Sequence, residues 1–175
     1  MSKGRVAILV ENDYQEMEVW VPLYRLREEG YETVTVGPLA AAYASKLGYP
    51  VKADAAASEI QAAGLAGVVI PGGWAPDRLR QDPAVLRLVK EVDALKRLVA
   101  CICHGGWVLA SAGVAKGRRL TCYQAIRDDM AHAGATLLDQ EVVRDGNLVT
   151  SRKPDDLPAF CREMLAVLRE QPAGR

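Results

Sequence analysis

Cys103 and His104 stand side by side in Ala100-Cys101-Ile102-Cys103-His104-Gly105-Gly106, immediately after the apolar run Leu98 to Ile102. A short run of that kind forms a fully buried parallel strand. Cys101 and Gly105, two places to either side of Cys103, match the thiol form of a nucleophile elbow. There a tight strand-to-helix turn lifts the nucleophile into a cleft and leaves room only for small neighbours. A cysteine at the start of a helix meets unpaired amides and partial positive charge, so the spacing predicts a lowered thiol pKa and a nucleophile. Cys101, Cys122 and Cys161 fall within strands or on an apolar helix face and read as core residues. His104 is the general acid or base nearest the thiol in sequence. His132 lies near a helix end, where a dipole contact explains it.

Two further groups carry chemistry. Pro71-Gly72-Gly73 follows the apolar run Gly67 to Ile70, and glycines at the carboxyl end of a strand let backbone amides approach a ligand. The amides of Gly72 or Gly73, with that of His104, are expected to hold an oxyanion. Glu11, Asp13, Glu16 and Glu18 crowd the exit of the first strand. One of them, held near sulfur, would share its proton, but spacing does not choose among the four. With two histidines and a Cys-x-Cys pair, no metal-ligand spacing occurs, and no cofactor is implied.

The elements that must position these groups alternate. A strand at Val6 to Val10 precedes a helix ending at Gly30, with Met17, Trp20, Val21, Leu23 and Tyr24 on its apolar face. Pro22 inside that helix predicts a late start or a kink near Glu18. A strand at Thr33 to Gly37 leads to a mixed stretch, Pro38 to Asp54, read as a small ribbon outside the main sheet. Ser58 to Gln61 has capping-box spacing. Asp82 and Pro83 open a helix through Lys96 with Val85, Leu88, Val89, Val92 and Leu95 inward. After the elbow helix, which ends at Gly113, come a strand at Thr121 to Tyr123 and a helix from Ala125 to Ala133. Strands at Thr136 to Leu138, Glu141 to Arg144 and Leu148 to Thr150 follow, and a last helix opens at Pro154-Asp155-Asp156. This alternation argues for an α/β sandwich with a mostly parallel sheet and a cleft at the carboxyl ends of its strands.

Composition sets the frame. Half of the 175 residues are apolar and a quarter charged, which excludes disordered and fibrous classes. Lys plus Arg and Asp plus Glu are 22 each, so no basic excess favours nucleic acid or an anionic membrane. Residues 1–175 read as one domain with a frayed tail from about 170 to 175. The apolar stretch at Val6 to Val10 is too short for a signal or membrane segment, and a cytoplasmic setting is expected.

The strings ICHG, SAGVAKGRRLT, AIRDDM, EVVRDGNLVTSRKPDDLPAF and VIPGGWAPDRLR together resemble the ThiJ/PfpI intracellular-protease and deglycase family, within the class I glutamine amidotransferase-like superfamily. The resemblance covers nearly the whole chain. It implies a flavodoxin-like three-layer sandwich, a nucleophile at Cys103 with His104 beside it, and a family glutamate matched by Glu18 through its spacing to Pro22. It implies a homodimer or homohexamer in which Asp77, from a neighbouring subunit, reaches His104. It further implies cysteine-dependent deglycase or glyoxalase action on small aldehydes or glycated substrates in stress defence, with intracellular peptidase activity as the alternative. A cysteine-oxidation sensor or holdase is the alternative of another class. The chain departs from the family pattern twice. Gly106 stands where proline is common after CHG, and Asp77 stands where glutamate is common.

Overall fold

The computed structural model describes residues 2–171. The frayed tail expected from the sequence therefore falls largely on residues outside the described ones, since 172–175 are not among them and Glu170 still ends a helix. In chain order the first half contains β1 (Arg5–Leu9), α1 (Glu16–Glu28), β2 (Glu32–Gly37), β3 (Ala42–Ala44), β4 (Pro50–Lys52), β5 (Ala55–Ala56), β6 (Gly67–Ile70), α2 (Ala75–Leu79) and α3 (Pro83–Ala94). The second half contains β7 (Leu98–Ile102), α4 (Gly106–Ser111), β8 (Arg119–Leu120), α5 (Arg127–His132), β9 (Thr136–Leu137), β10 (Val142–Asp145), β11 (Leu148–Ser151) and α6 (Leu157–Glu170).

Seven strands form one sheet in the order β10-β11-β7-β6-β1-β2-β5, parallel except for the hairpin strand β10. Its central strands are apolar on both faces, as a sheet covered on both sides requires: every residue of β6 and β7 is buried. Helices α1 and α6 pack together over β1, β2, β7 and β11, while α3 covers β6 and β7 and adjoins α4. The result is the flavodoxin-like three-layer sandwich. The β3-β4 ribbon lies outside the main sheet, as the mixed composition of residues 38–54 suggested.

Strand order fixes the functional edge. From β1 the chain moves to β2 on one side and then to β6, β7 and β11 on the other, so the winding reverses between β1 and β6. Loops leaving β1 and β6 diverge at such a point and open a crevice at the carboxyl edge. The turns after β1, β6 and β7 all emerge there.

Several expectations are corrected. Helix α1 does not start late, which is one of the two outcomes that Pro22 allows. It begins at Glu16, where the Gln15 side chain accepts bonds from the amides of Met17 (2.7 Å) and Glu18 (3.3 Å). Its inward face is also rotated from the one expected. Glu18, Val19, Pro22, Leu23 and Leu26 are buried, whereas Met17, Val21 and Tyr24 are exposed. Leu95 lies beyond the end of α3 and is exposed. The strand expected at Thr121 to Tyr123 forms instead at Arg119–Leu120, where β8 pairs with β9 in a separate two-stranded sheet.

Candidate active site

The elbow is built from a strained nucleophile and two absences of side chain. Cys103 has φ of 62°, a left-handed conformation that costs a non-glycine residue roughly 1 kcal/mol or more. It opens a single 3₁₀ turn, Cys103–Gly105, before α4 begins. A β-carbon on Gly105 would lie 2.8 Å from the Ile70 carbonyl oxygen and 2.9 Å from Cys101 Sγ, so only glycine fits under the turn. The departure at Gly106 has its own reason. A β-carbon there would sit 2.9 Å from both Ile126 Cδ1 and Met130 Sδ, so glycine lets α4 approach the helix beside it.

The turns after β1 and β6 close over this thiol. Gly73, with φ of 75°, bridges to Tyr14, and a β-carbon on it would meet the Asp13 carbonyl oxygen at 2.3 Å. The amide of Trp74 donates to that same carbonyl at 2.9 Å. Gly72 lies between two reactive groups, since a β-carbon on it would fall 2.6 Å from Cys103 Cβ, 3.0 Å from Cys103 Sγ and 2.8 Å from Glu18 Oε2. The structure thus brings Cys103, Glu18, Gly72, Gly73 and His104 together.

Among the four carboxylates, Glu18 is the one at the sulfur. It is fully buried, Oε2 accepts the Gly72 amide at 2.6 Å, and Oε1 has no hydrogen-bond partner. The other three are engaged elsewhere: Glu11 by the Asn12 amide (2.7 Å), Asp13 by Arg78 (2.7 Å) and Glu16 by the Leu47 amide (2.8 Å). Burial pushes the Glu18 carboxyl up to about 7, against the pull of the Gly72 amide. Because that amide is taken by Glu18, the amides left facing the sulfur are those of Gly73 and His104.

The thiol itself overturns the helix-start expectation. Burial first, and the Glu18 carboxylate second, push Cys103 up to about 12, although the His104 and Gly73 amides act in the opposite direction. A short 3₁₀ turn and a six-residue helix offer too little dipole to offset desolvation. Protonation of Glu18 removes the second cause, so carboxyl and thiol titrate as one coupled pair.

His104 Nδ1 lies 3.3 Å from Cys103 Sγ. Its ring sits among Tyr123 (stacked, 4.7 Å between centroids), Trp74 (5.3 Å) and Trp107 (5.3 Å). Burial, followed by the field of Lys46, lowers its pKa and keeps the imidazole neutral around pH 7. Asp77 is exposed in the first turn of α2, and among the described residues its carboxylate makes no hydrogen bond or ion pair within the chain. His132 is exposed in the last turn of α5, away from these groups in sequence and environment. Cys101, Cys122 and Cys161 are buried free thiols.

Sequence reasoning missed the aromatic cage and Lys46. Trp74, Trp107 and Tyr123 each follow a singled-out motif by one to a few residues, and their ring type was the available signal. Lys46 had none, because it comes from the ribbon, where its amide bonds the Tyr14 carbonyl (3.0 Å) next to the Tyr14-Gly73 bridge.

A parallel α/β sandwich with a cysteine on a strained elbow, paired with a buried glutamate, defines a class of thiol-bearing proteins. Comparison with known proteins places the chain within it. The model of the DJ-1/PfpI family matches residues 4–167, and the chain belongs to that family. The deglycase PfpI of Pyrococcus furiosus is 39% identical over 165 residues, covering 94% of this chain and 99% of that one. A Bacillus subtilis protein whose name, YraA, carries the description of a proposed cysteine protease is 40% identical over 170 residues, covering 97% and 100%. Among solved structures, a two-domain Anabaena variabilis protein with DJ-1/ThiJ/PfpI-like and ferritin-like domains superposes with a TM-score of 0.93 at 39% identity, over 95% of this chain and 48% of that one. No helix among the described residues is long and apolar enough to cross a membrane.

Proposed function

We propose that the protein is a cysteine-dependent enzyme of the deglycase and glyoxalase type, acting on methylglyoxal, glyoxal and their adducts without a cofactor. The observation that carries this reading is the buried Glu18 carboxyl flanking the same glycine as the Cys103 sulfur. A carboxyl held at about 7 is half ionised where the cell works, so it can both take and return a proton.

Cys103 Sγ attacks the aldehyde carbon as its proton passes to the Glu18 carboxylate. The carbonyl electron pair moves to oxygen, which faces the amides of Gly73 and His104. That oxygen takes the proton from Glu18, leaving a neutral hemithioacetal and a free carboxylate. For methylglyoxal, the proton on the attacked carbon then moves to the neighbouring carbonyl carbon with Glu18 as carrier. Water cleaves the resulting thioester to lactate and free thiol. His104, neutral and 3.3 Å from sulfur, assists the proton transfers. In an oligomer, the exposed Asp77 of a neighbouring copy would orient the His104 ring. This lone-carboxyl arrangement favours aldehyde chemistry over peptide cleavage, which needs an extended groove.

Turnover of methylglyoxal by wild-type and Cys103→Ser proteins tests the reading. Loss of roughly a thousandfold or more is expected, with the fold retained. Unchanged turnover removes it, and cleavage of fluorogenic peptides without aldehyde turnover would favour the peptidase. In the wild type, turnover should rise with pH through about 7 as Glu18 loses its proton. Uptake of oxygen at Cys103 after mild peroxide, seen by intact mass in a protein lacking turnover, would favour the redox sensor.

A further inference from the structure

A cleft of about 680 Å³ opens beside the site, and its lining includes Tyr123, Arg127, Asp139, Arg152 and Lys153. Tyr123 is a wall shared with the active site. Its ring stacks on His104 at 4.7 Å between centroids, and its amide donates to the Cys103 carbonyl at 3.2 Å. A molecule lying in the cleft therefore shares the Tyr123 wall with His104, whose ring nitrogen lies 3.3 Å from the reacting sulfur.

The three cations of the lining differ in how firmly they are engaged. Arg152 is fixed from behind: Nε and one terminal nitrogen bond the two oxygens of Asp156 at 2.9 and 3.1 Å, and that carboxylate is only 5% exposed. Its remaining nitrogen reaches Asp139 at 2.8 Å, a carboxylate that is 74% exposed. Lys153 pairs with Asp155 at 2.9 Å, where both partners are open to water. Such exposed pairs hold weakly and exchange readily for another anion. Arg127 is partly buried, and among the described residues its guanidinium makes no hydrogen bond or ion pair, although its backbone amide bonds the Gln124 carbonyl. The cleft thus combines a preoriented guanidinium edge, a second guanidinium without a side-chain partner and a flexible ammonium, opposed by two replaceable carboxylates, Asp139 and Asp155. Fork-shaped donors of this kind match phosphate and carboxylate oxygens.

We infer that this cleft is an anion subsite, in which Arg127, Lys153 and the outer edge of Arg152, once Asp139 gives way, hold a phosphate or carboxylate carried by the substrate while its aldehyde carbon reaches Cys103. The assignment rests on the aldehyde reading above and adds a substrate class to it: small dicarbonyl adducts bearing an anionic group. Asp139 occupies the subsite's edge in the free protein and gives way to the ligand.

Hemithioacetals of methylglyoxal with 2-mercaptoethanol, 3-mercaptopropionate and 2-mercaptoethyl phosphate form a matched neutral, carboxylate and phosphate series. In each, Cys103 Sγ bonds the former aldehyde carbon as that carbon's bond to the mercaptan sulfur breaks, and the mercaptan leaves with the proton that Cys103 gave up. At low ionic strength the KM of the charged members should be about tenfold below that of the neutral one, as charge-assisted bonds imply, and the gap should close as salt is added. Arg127→Gln and Lys153→Gln should erase the gap while leaving the neutral member's kinetics unchanged. Asp139→Asn should widen it. A gap for phosphate alone assigns the subsite to phosphate, and a gap for both assigns it to either anion. Equal KM for all three in the wild type, or an equal loss for neutral and charged members in Arg127→Gln, overturns the subsite. Calorimetric titration of the Cys103→Ser protein with pyrophosphate separates the two readings, because it needs no turnover. Pyrophosphate binding that weakens about tenfold on adding Arg127→Gln sustains the subsite even if no hemithioacetal is consumed, in which case the aldehyde chemistry alone fails. Binding indifferent to Arg127 removes the subsite even if turnover is intact.

Discussion

The two ends of the central sheet handle buried polarity in opposite ways. At the amino ends of β7 and β11, Arg118 bonds Asp93 (3.1 Å), Asp145 (3.3 Å) and Asn147 (3.2 Å), and Asn147 in turn reaches Asp93 (2.9 Å) and the Arg97 carbonyl (2.8 Å). Charges are paired there and every named donor has an acceptor. At the carboxyl ends of β1, β6 and β7, a fully buried carboxylate keeps one oxygen unpartnered and a cysteine is held left-handed beside it. A fully satisfied network rigidifies a fold, whereas unmet bonding capacity at a crevice is free to act on a substrate. The contrast separates what holds this sheet together from what it is held together for.

Substitutions at the two ends should therefore fail in different ways. Gly72→Ala forces a β-carbon into Cys103 and Glu18, and displacement of the pair should lower kcat by roughly a hundredfold or more while the thermal midpoint moves little. Steady-state kinetics with a melting curve would break the contrast if the midpoint fell and kcat did not. Next in size is a pH effect on stability. Glu18 is raised from 4.5 to about 7. Below pH 4.5 both folded and unfolded chains carry the proton, and between 4.5 and 7 only the folded chain does. The stabilisation is thus complete below 4.5 and is lost as pH rises to about 7, by roughly 3 kcal/mol in total. Denaturant midpoints measured across that window should slope downward in the wild type and less so in Glu18→Gln. Arg118→Met, at the opposite end, should cost roughly 2 kcal/mol of stability by leaving Asp93 and Asp145 without their partner, with turnover unaltered. The smallest effect is expected for Gly146→Ala in the turn between β10 and β11. Its φ is 60° and nothing lies within 4 Å of an added β-carbon, so about 1 kcal/mol of backbone strain and no change in kcat should result.

How much of this was legible in the chain follows from where each signal resides. The elbow was readable because steric demands act on neighbours: Cys101 and Gly105 are close in sequence to the residue they accommodate. The alternation of apolar runs with helical segments gave the sandwich for the same reason. Glu18 could not be chosen over Glu11, Asp13 or Glu16 by spacing, since the choice depends on which turn of α1 faces Gly72, a contact 54 residues away. The same fact explains the misread face of α1. Met17, Val21 and Tyr24 form a convincing apolar stripe, yet the helix is rotated to bury a carboxyl, and the stripe is left outward. The thiol's raised pKa was hidden because helix-end geometry was visible in sequence and burial was not. Arg127, Asp139 and Arg152 meet only through the packing of separate segments, so no local pattern announced their cleft.

The bond from the Gly72 amide to Glu18 Oε2 turns one backbone proton into a reporter. With nitrogen 2.6 Å from Oε2, that amide hydrogen lies against the carboxyl group whose protonation state sets the reactivity of the pair. Its nuclear magnetic resonance signal should move downfield as the carboxyl ionises and back as it is neutralised, tracing a titration curve centred near 7. A single peak in a nitrogen-edited spectrum would then follow the reacting proton without touching the sulfur, in the free protein and as ligands enter.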